Sequence, residues 1–344
     1  MLTETDVSQL DPTGLQRQRR HLQRLKNEGI FRKTVLVHED CAPYIDKLKR
    51  HFRYPDSAPI FREFADRLEK VKPINVAQVS QLSPFRYPGG KTWLVPNIRE
   101  LILALNKKPR HFIEPFAGGG IVGLSVAAEK LADHVVLAEL DDGVAAVWEA
   151  ILTNPEILCD RILAFNLTQD SARRILEESE TGIQQRAFQT VLRNRVQHGG
   201  ILAPGASLIK NGENGKGISS RWYPQTLVKR IRLIYLMRNN ISFIHGDGFE
   251  VVRAYQNNSN SFFFIDPPYT AGGKKAGKRL YLHNTIDHEY LFLLMSKVKG
   301  NFVMTYDDSD SVRKLARNFR FKVTLIPMKN THHQVMMELL ITKS

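Results

Sequence analysis

The chain sorts into short apolar runs separated by longer stretches in which apolar residues recur every three or four positions. From about residue 110 the runs are 111–113, 134–138, 241–245, 261–265, 301–305, 321–326 and 334–341. Runs of that length bounded by turn residues predict strands, and the stretches between them predict helices. Alternation of the two predicts an α/β fold, a mostly parallel sheet with helices on both faces. One gap breaks the alternation. Residues 153–240 begin as a polar helical stretch and continue through a glycine-rich segment from His198-Gly199-Gly200 to Gly217. That is too long for a connecting loop and predicts an inserted, mainly helical subdomain. The sheet-bearing domain then comprises 81–152 and 241–344.

Residues 1–80 follow another pattern. Residues 12–33 hold seven basic side chains, among them Arg17, Arg19, Arg20 and Arg24, against the single acid Glu28. An extended run, 33–38, precedes two helical patterns around Ile45, Leu48 and Phe52 and around Ile60, Phe64 and Leu68. Strand, helix, turn, helix is the order of a ribbon-helix-helix module, which would pair two chains and lay its ribbon on DNA. The alternative is a basic helical appendage, with 73–83 as linker in either case.

Composition narrows the class. Forty-two per cent of the 344 residues are hydrophobic, enough for a full core, and no apolar run approaches the length of a membrane span. The first residues show no basic start followed by an apolar stretch, so no secretory signal is expected. Two cysteines make neither a disulfide framework nor a cysteine zinc site, and a reducing cytoplasm fits. Forty-nine Lys and Arg against 35 Asp and Glu leave a formal charge of +14, which favours a polyanionic partner. The bias is sharpest in the insertion: between Arg186 and Arg238 there are ten basic residues and one acid, Glu213.

The candidate chemistry lies at the ends of predicted strands. After the run at 111–113 comes Glu114-Pro115-Phe116-Ala117-Gly118-Gly119-Gly120, in which Gly118, Gly120 and Gly123 satisfy GxGxxG. A strand, a glycine turn and a helix make the place where an α/β sheet holds ligands. Glu139, about twenty residues on at the end of the next run, is a candidate acceptor for ribose hydroxyls. An adenosine-bearing cofactor follows, nicotinamide dinucleotides included. Tyr87-Pro88-Gly89-Gly90-Lys91-Thr92 resembles a phosphate loop only at its end, since Phe85 stands where that loop needs glycine. Lys91 reads better as a cation reaching a carboxylate, and Tyr87 as an aromatic platform.

The most informative run is Ser261-Phe262-Phe263-Phe264-Ile265-Asp266-Pro267-Pro268-Tyr269. The apolar strand delivers Asp266 to the edge of the sheet, and Pro267 and Pro268 stiffen the chain after it and offer carbonyls without N–H groups. A carboxylate beside a rigid carbonyl makes two acceptors for a primary amine such as the exocyclic amino group of adenine or cytosine. Tyr269 offers a ring for a base to stack on.

Tyr87-Pro88-Gly89-Gly90-Lys91, Glu114 to Gly120, a basic insertion and Asp266-Pro267-Pro268-Tyr269, in that order, resemble the Dam-type, alpha-group DNA adenine methyltransferases over about residues 83–344. The resemblance implies a Rossmann-like, seven-stranded sheet of the S-adenosylmethionine-dependent kind, with 153–240 as target-recognition subdomain. It implies S-adenosylmethionine as cofactor, with Tyr87, Lys91 and Asp266 in contact. Glu114, Phe116, Gly118 and Gly120 would line its methionine part, Glu139 would hold its ribose, and Asp247 would meet its adenine. Many members carry Asp at the ribose position, so Asp141 is a second candidate there.

The implied reaction is methylation of the adenine 6-amino group in a specific duplex sequence by base flipping. Asp266 and the Pro267 carbonyl would accept the amine protons without any metal, and His332-His333 lack ligand partners at recognisable spacing. Arg193, Arg195, Arg221 and Trp222 are the candidates for base readout, with Lys274 and Lys275 on the backbone. Double-stranded DNA is the expected partner, no membrane is expected, and a homodimer through the N-terminal module and a cognate restriction enzyme are admitted. Cytosine amino-methylation and RNA adenine methylation stay open as alternatives. A nicotinamide-dependent oxidoreductase would leave Asp266 to Tyr269 unexplained, and a DNA-binding regulator would place the function in residues 1–80.

Overall fold

The computed structural model describes residues 79–86, 89–202, 206–212, 215–269, 286–329 and 335–343, with a few positions between 23 and 61. Tyr87, Lys274, Lys275, the paired histidines 332–333 and nearly all of the N-terminal module lie outside the described residues. Backbone contacts divide the chain into two compact units, Met1–Lys72 and Pro73–Ser344, so the expected linker begins the second unit.

The seven apolar runs form one seven-stranded sheet: β1 (His111–Glu114), β2 (His134–Glu139), β3 (Ile241–His245), β4 (Ser261–Ile265), β5 (Asn301–Asp307), β6 (Lys322–Lys329) and β7 (Val335–Thr342). Their order is β3-β2-β1-β4-β5-β7-β6. Strands β1 to β5 pair in parallel, whereas β7 lies antiparallel between β5 and β6. Seven strands in this order make a Rossmann-like sheet, as expected. After β1 the chain builds β2 and β3 on one side and then crosses to β4 on the other. The crevice beyond the carboxyl ends of β1 and β4 is therefore a topological switch point, where open α/β sheets bind ligands.

Alternation along the strands divides the core into two layers. Phe112, Leu137, Phe262 and Phe264 belong to one apolar cluster, and Ile113, Val136, Phe263 and Ile265 to the other. Every residue of β4 is buried, as expected of a central parallel strand covered on both faces.

Helices α1 (Val95–Leu103), α2 (Ile121–Ala128) and α3 (Asp142–Thr153) belong to the first layer. So do α4 (Pro155–Ala164), α5 (Gln169–Glu177), α6 (Ile183–Val196) and α7 (Pro224–Leu236). The second layer is α8 (Gly248–Tyr255), α9 (His288–Ser296) and α10 (Asp310–Asn318). Residues 153–240 are mainly helical, and they are continuous with the core: α6 packs along α3, and Phe188, Leu192 and Ile231 share a cluster with Phe112 and Leu137. Local sequence sets the starts of these helices. Asp141 caps α3 by accepting from Gly143 and Val144, Asp247 caps α8 by accepting from Phe249, and prolines occupy the first positions of α4 and α7.

Candidate active site

A cavity of about 1030 Å³ opens at the switch point, large enough for a cofactor and a base together. Its wall includes the glycine turn after β1, Glu139 and Asp141 after β2, Asp247 after β3 and Asp266 to Tyr269 after β4.

The glycine turn is tied down from three sides. Gly118 N–H donates to Glu139 Oε2 at 2.8 Å, Trp148 Nε1 donates to the Gly118 carbonyl at 3.0 Å, and Ser83 Oγ donates to the Gly119 carbonyl at 2.6 Å. Gly120 starts α2 in the left-handed region at φ +58°, where a Cβ would also sit 2.8 Å from the Trp148 ring. The second Glu139 oxygen accepts from Leu140 and Asp141 at 2.9 and 3.0 Å. Burial pushes the Glu139 carboxyl up, and those amide bonds pull it back. Asp141 lines the same cavity and caps α3 through Oδ1 alone, so both acidic candidates for the ribose stand at the cavity wall.

Glu114 ends β1 fully inside the protein and accepts from Gly123 N–H at 2.7 Å. Burial pushes its carboxyl up to about 8, against the Gly123 bond and with the Asp266 charge adding to the rise. Phe116, edge-on to Phe249 at 6.1 Å, supplies an apolar wall. Acidic side chains at Glu114, Glu139 and Asp247, an apolar ring and a glycine turn make a set of acceptors and walls for a ligand that joins a cation to an adenosine. S-adenosylmethionine is such a ligand, and the residues present fit it.

Asp266 is the hub of the second half of the cavity. Its Oδ1 lies 3.0 Å from Lys91 Nζ, accepts from Thr305 Oγ1 at 2.7 Å and is 3.0 Å from the Tyr269 hydroxyl. Lys91 is thus the cation its sequence suggested, buried and also donating to the Gly89 carbonyl at 2.9 Å. Among the described residues no hydrogen bond reaches Asp266 Oδ2, which stays open beside Pro267. Tyr269 is more engaged than a bare platform: its ring stacks on Tyr306 at 5.7 Å, and Lys91 Nζ lies 4.8 Å from its centroid. Burial and the neighbouring carboxylates Asp266 and Glu338 raise its hydroxyl well above the ordinary value.

Two readout candidates have other surroundings than the sequence suggested. Trp222 is buried, edge-on to Phe165 at 5.9 Å, because it completes the apolar layer between α4 and α6. Arg195 is also buried and donates to the Pro84 carbonyl at 2.5 Å. Burial, with Arg230 and Arg86 nearby, pushes its guanidinium down to about 10. Its neighbour Asn194 accepts from Arg86 N–H at 2.9 Å and donates to the Arg86 and Gly200 carbonyls. The pair clamps residues 84–86, which lead to Lys91. Arg193 and Arg221 are half-buried and lie outside the cavity wall, whereas Arg230 lines it and donates to the Ser83 carbonyl at 3.1 Å.

Three residues of the site carried no motif: Thr305, Trp148 and Glu338. Glu338 is the one charged residue of β7 and Trp148 the one indole of α3, but nothing within either element ties it to Asp266 or to the glycine turn. Among the described residues no cluster of three or more His, Cys, Asp or Glu is arranged to hold a metal, and no helix is long and apolar enough to cross a membrane.

A family model described as D12 class N6 adenine-specific DNA methyltransferase matches residues 87–326. The chain is 26% identical over 245 residues to the Type II methyltransferase M1.LlaDCHI of Lactococcus lactis subsp. cremoris, covering 66% of this chain and 82% of that one. It is 20% identical over 206 residues to the Type II methyltransferase M.MjaIII of Methanocaldococcus jannaschii, covering 55% and 70%. Among solved structures, the rRNA methyltransferase aviRa of Streptomyces viridochromogenes is similar at a TM-score of 0.34 and 12% identity, over 75% of this chain and 86% of that one.

Proposed function

The chain belongs to the D12 class N6 adenine-specific DNA methyltransferase family, and from that premise we propose that it methylates adenines turned out of duplex DNA at one specific sequence. The activity follows from the family: an S-adenosylmethionine-dependent enzyme that methylates the 6-amino group of adenine in DNA. The observation that carries the finer reading is the state of Asp266. Three donors converge on Oδ1, and Oδ2 is left to the cavity.

A paired and stacked adenine keeps its amino group inside the duplex, so the base must leave the stack to reach Asp266. Asp266 Oδ2 and the Pro267 carbonyl then accept hydrogen bonds from the two amine N–H groups, and the proton released when the nitrogen is methylated passes to Asp266, directly or through water. Accepting both draws the nitrogen lone pair out of conjugation with the ring and aims it along one direction. When bound, S-adenosylmethionine supplies a methyl group on a sulfonium, already reactive toward such a nitrogen. The protein's share is to position and to stabilise developing charge, which needs no covalent enzyme intermediate. Lys91 and Thr305 hold Asp266 in place, while Glu139 and the glycine turn hold the cofactor side.

The basic surface of 186–238 supports a duplex partner, with Arg193 and Arg221 toward the DNA and Lys274 and Lys275 on its backbone. Residues 1–80 are proposed as a DNA-binding and dimerising module, and deletion of that segment is expected to lower both sedimentation coefficient and DNA affinity. The test of the whole reading uses unmethylated plasmid DNA and methyl-labelled S-adenosylmethionine. After digestion to nucleosides the label is expected in 6-methyladenosine, and sequencing is expected to map it to one recurring duplex sequence. Label in 4-methylcytidine, or methylation scattered without sequence preference, overturns it.

A further inference from the structure

Glu338 sits on β7, outside every motif above, yet it lines the active-site cavity. It arrives there through topology. β7 runs antiparallel to β5, so the first half of β7 lies beside the carboxyl end of β5, with Glu338 opposite Asp307 in register. Only 13% of its side chain is exposed. Its Oε2 is 3.2 Å from the Tyr269 hydroxyl and 3.9 Å from Lys91 Nζ.

We propose that Glu338 is a positioning residue for methyl transfer, which carries a proton and, through the Tyr269 hydroxyl, fixes Asp266 with Oδ2 open to the amine. The Tyr269 hydroxyl lies within hydrogen-bond distance of both Asp266 Oδ1 and Glu338 Oε2, and it has a single proton to give. Were both carboxylates ionised, one of these contacts would set lone pair against lone pair. Two negative charges would also share the one ammonium of Lys91 in a buried site.

A proton on Glu338 removes both conflicts. Glu338 then donates to the Tyr269 oxygen, and Tyr269 donates to Asp266 Oδ1. Glu338 is the carboxyl that holds it, because Lys91 is nearer Asp266, at 3.0 against 3.9 Å, and because burial raises Glu338, Lys91 pulls it back in part, and the Asp266 charge adds to the rise. The groups that face Glu338 are Lys91, Asp266 and Tyr269, with Asp307 across the β5–β7 pair. With Thr305 and Lys91, this chain saturates Oδ1 and leaves one oxygen of defined direction for the amine.

The proposal rests on Asp266 accepting from the target amine, and the test separates the two. Glu338→Ala, Glu338→Gln and Asp266→Ala are prepared in the full chain. Single-turnover methyl transfer to unmethylated plasmid DNA is measured with enzyme in excess as a function of pH, alongside calorimetric S-adenosylmethionine binding and thermal melting. Misaligning a reacting group by about an ångström can cost on the order of 10²-fold in rate, and Glu338→Ala is expected to lose about that with cofactor affinity retained. Glutamine keeps the shape and a permanent N–H donor, so Glu338→Gln is expected to restore the rate and to hold it as pH rises, where the unmodified enzyme slows as Glu338 ionises. A Gln variant as slow as Ala, or one with an unchanged decline as pH rises, overturns the proposal even if the Ala variant fails to fold. An Ala variant with the full rate overturns it too. Full activity in Asp266→Ala removes Asp266 itself, whereas an inactive Asp266→Ala beside an unaffected Glu338→Ala removes Glu338 alone.

Discussion

Glu139 Oε2 accepts the Gly118 N–H at 2.8 Å, which makes the end of β2 and the glycine turn after β1 one unit. The longer reach of glutamate suits this geometry, since the same carboxylate also accepts from Leu140 and Asp141. Removing it orphans the part-buried Gly118 donor, at a cost of roughly 1–3 kcal/mol. Glu139→Ala is therefore expected to weaken S-adenosylmethionine binding, with DNA binding in the absence of cofactor little changed. Calorimetry checks this, and undiminished cofactor affinity would remove Glu139 from the site.

Much of this architecture is legible in the chain because a parallel sheet covered on both faces demands near-continuous apolar strands. The run Phe262-Phe263-Phe264-Ile265 shows that pattern plainly, and Asp266 stands out at its end. Lys91 was readable as a carboxylate partner because its glycine setting failed as a phosphate loop. Glu338 and Thr305 were not readable, since Glu338 reaches the site because β7 lies beside β5 and Thr305 because β5 pairs with β4, long-range order that no local spacing encodes. Trp222 misleads for the opposite reason, and Arg195 in part, since it lines the cavity as well as holding residue 84. Basic and aromatic residues in a positive segment suggest a nucleic-acid surface, whereas α6 turns Arg195 inward to hold residue 84 and Trp222 fills the layer behind it.

Gly123, in the first turns of α2, lies close against β1 and β2. A Cβ there would stand 2.6 Å from Glu114 Oε2 and 2.6 Å from Leu137 Cδ2. Overpacking of this kind costs roughly 1–3 kcal/mol. It would also push Glu114 off the Gly123 N–H. Gly123→Ala is expected to lower the urea midpoint and to weaken cofactor binding together. A variant with both properties intact would show that α2 can move away from β1 freely.

Lys91 is the cation between Asp266 and Glu338, with only 5% of its side chain exposed. Breaking a buried pair from one side costs roughly 3–5 kcal/mol, and the 22% exposure of Asp266 places this case toward or below the lower end. Lys91→Met is expected to destabilise the fold and to slow methyl transfer. Adding Asp266→Asn to Lys91→Met should recover part of the lost stability, because the charge left unpaired is then gone. Strictly additive losses in urea denaturation would refute coupling between the two.

Glu114 makes the protein's stability and its cofactor affinity depend on pH in linked ways. Its folded carboxyl titrates at about 8, against 4.5 for an ordinary glutamate. The folded state therefore holds the proton more tightly than the unfolded chain. That preference contributes stability that is fully present below about 4.5 and is lost progressively as pH rises from there to about 8. Without cofactor, stability attributable to this group is expected to fall across that window, and Glu114→Gln should flatten the fall. A cationic ligand beside Glu114 favours the carboxylate and expels the proton, so binding of S-adenosylmethionine at neutral pH should release protons. Calorimetry in buffers of different ionisation enthalpy reads that release directly. Enthalpies independent of buffer, with a Glu114→Gln stability curve parallel to that of the unmodified protein, would mean that Glu114 is ionised in the folded state from the start.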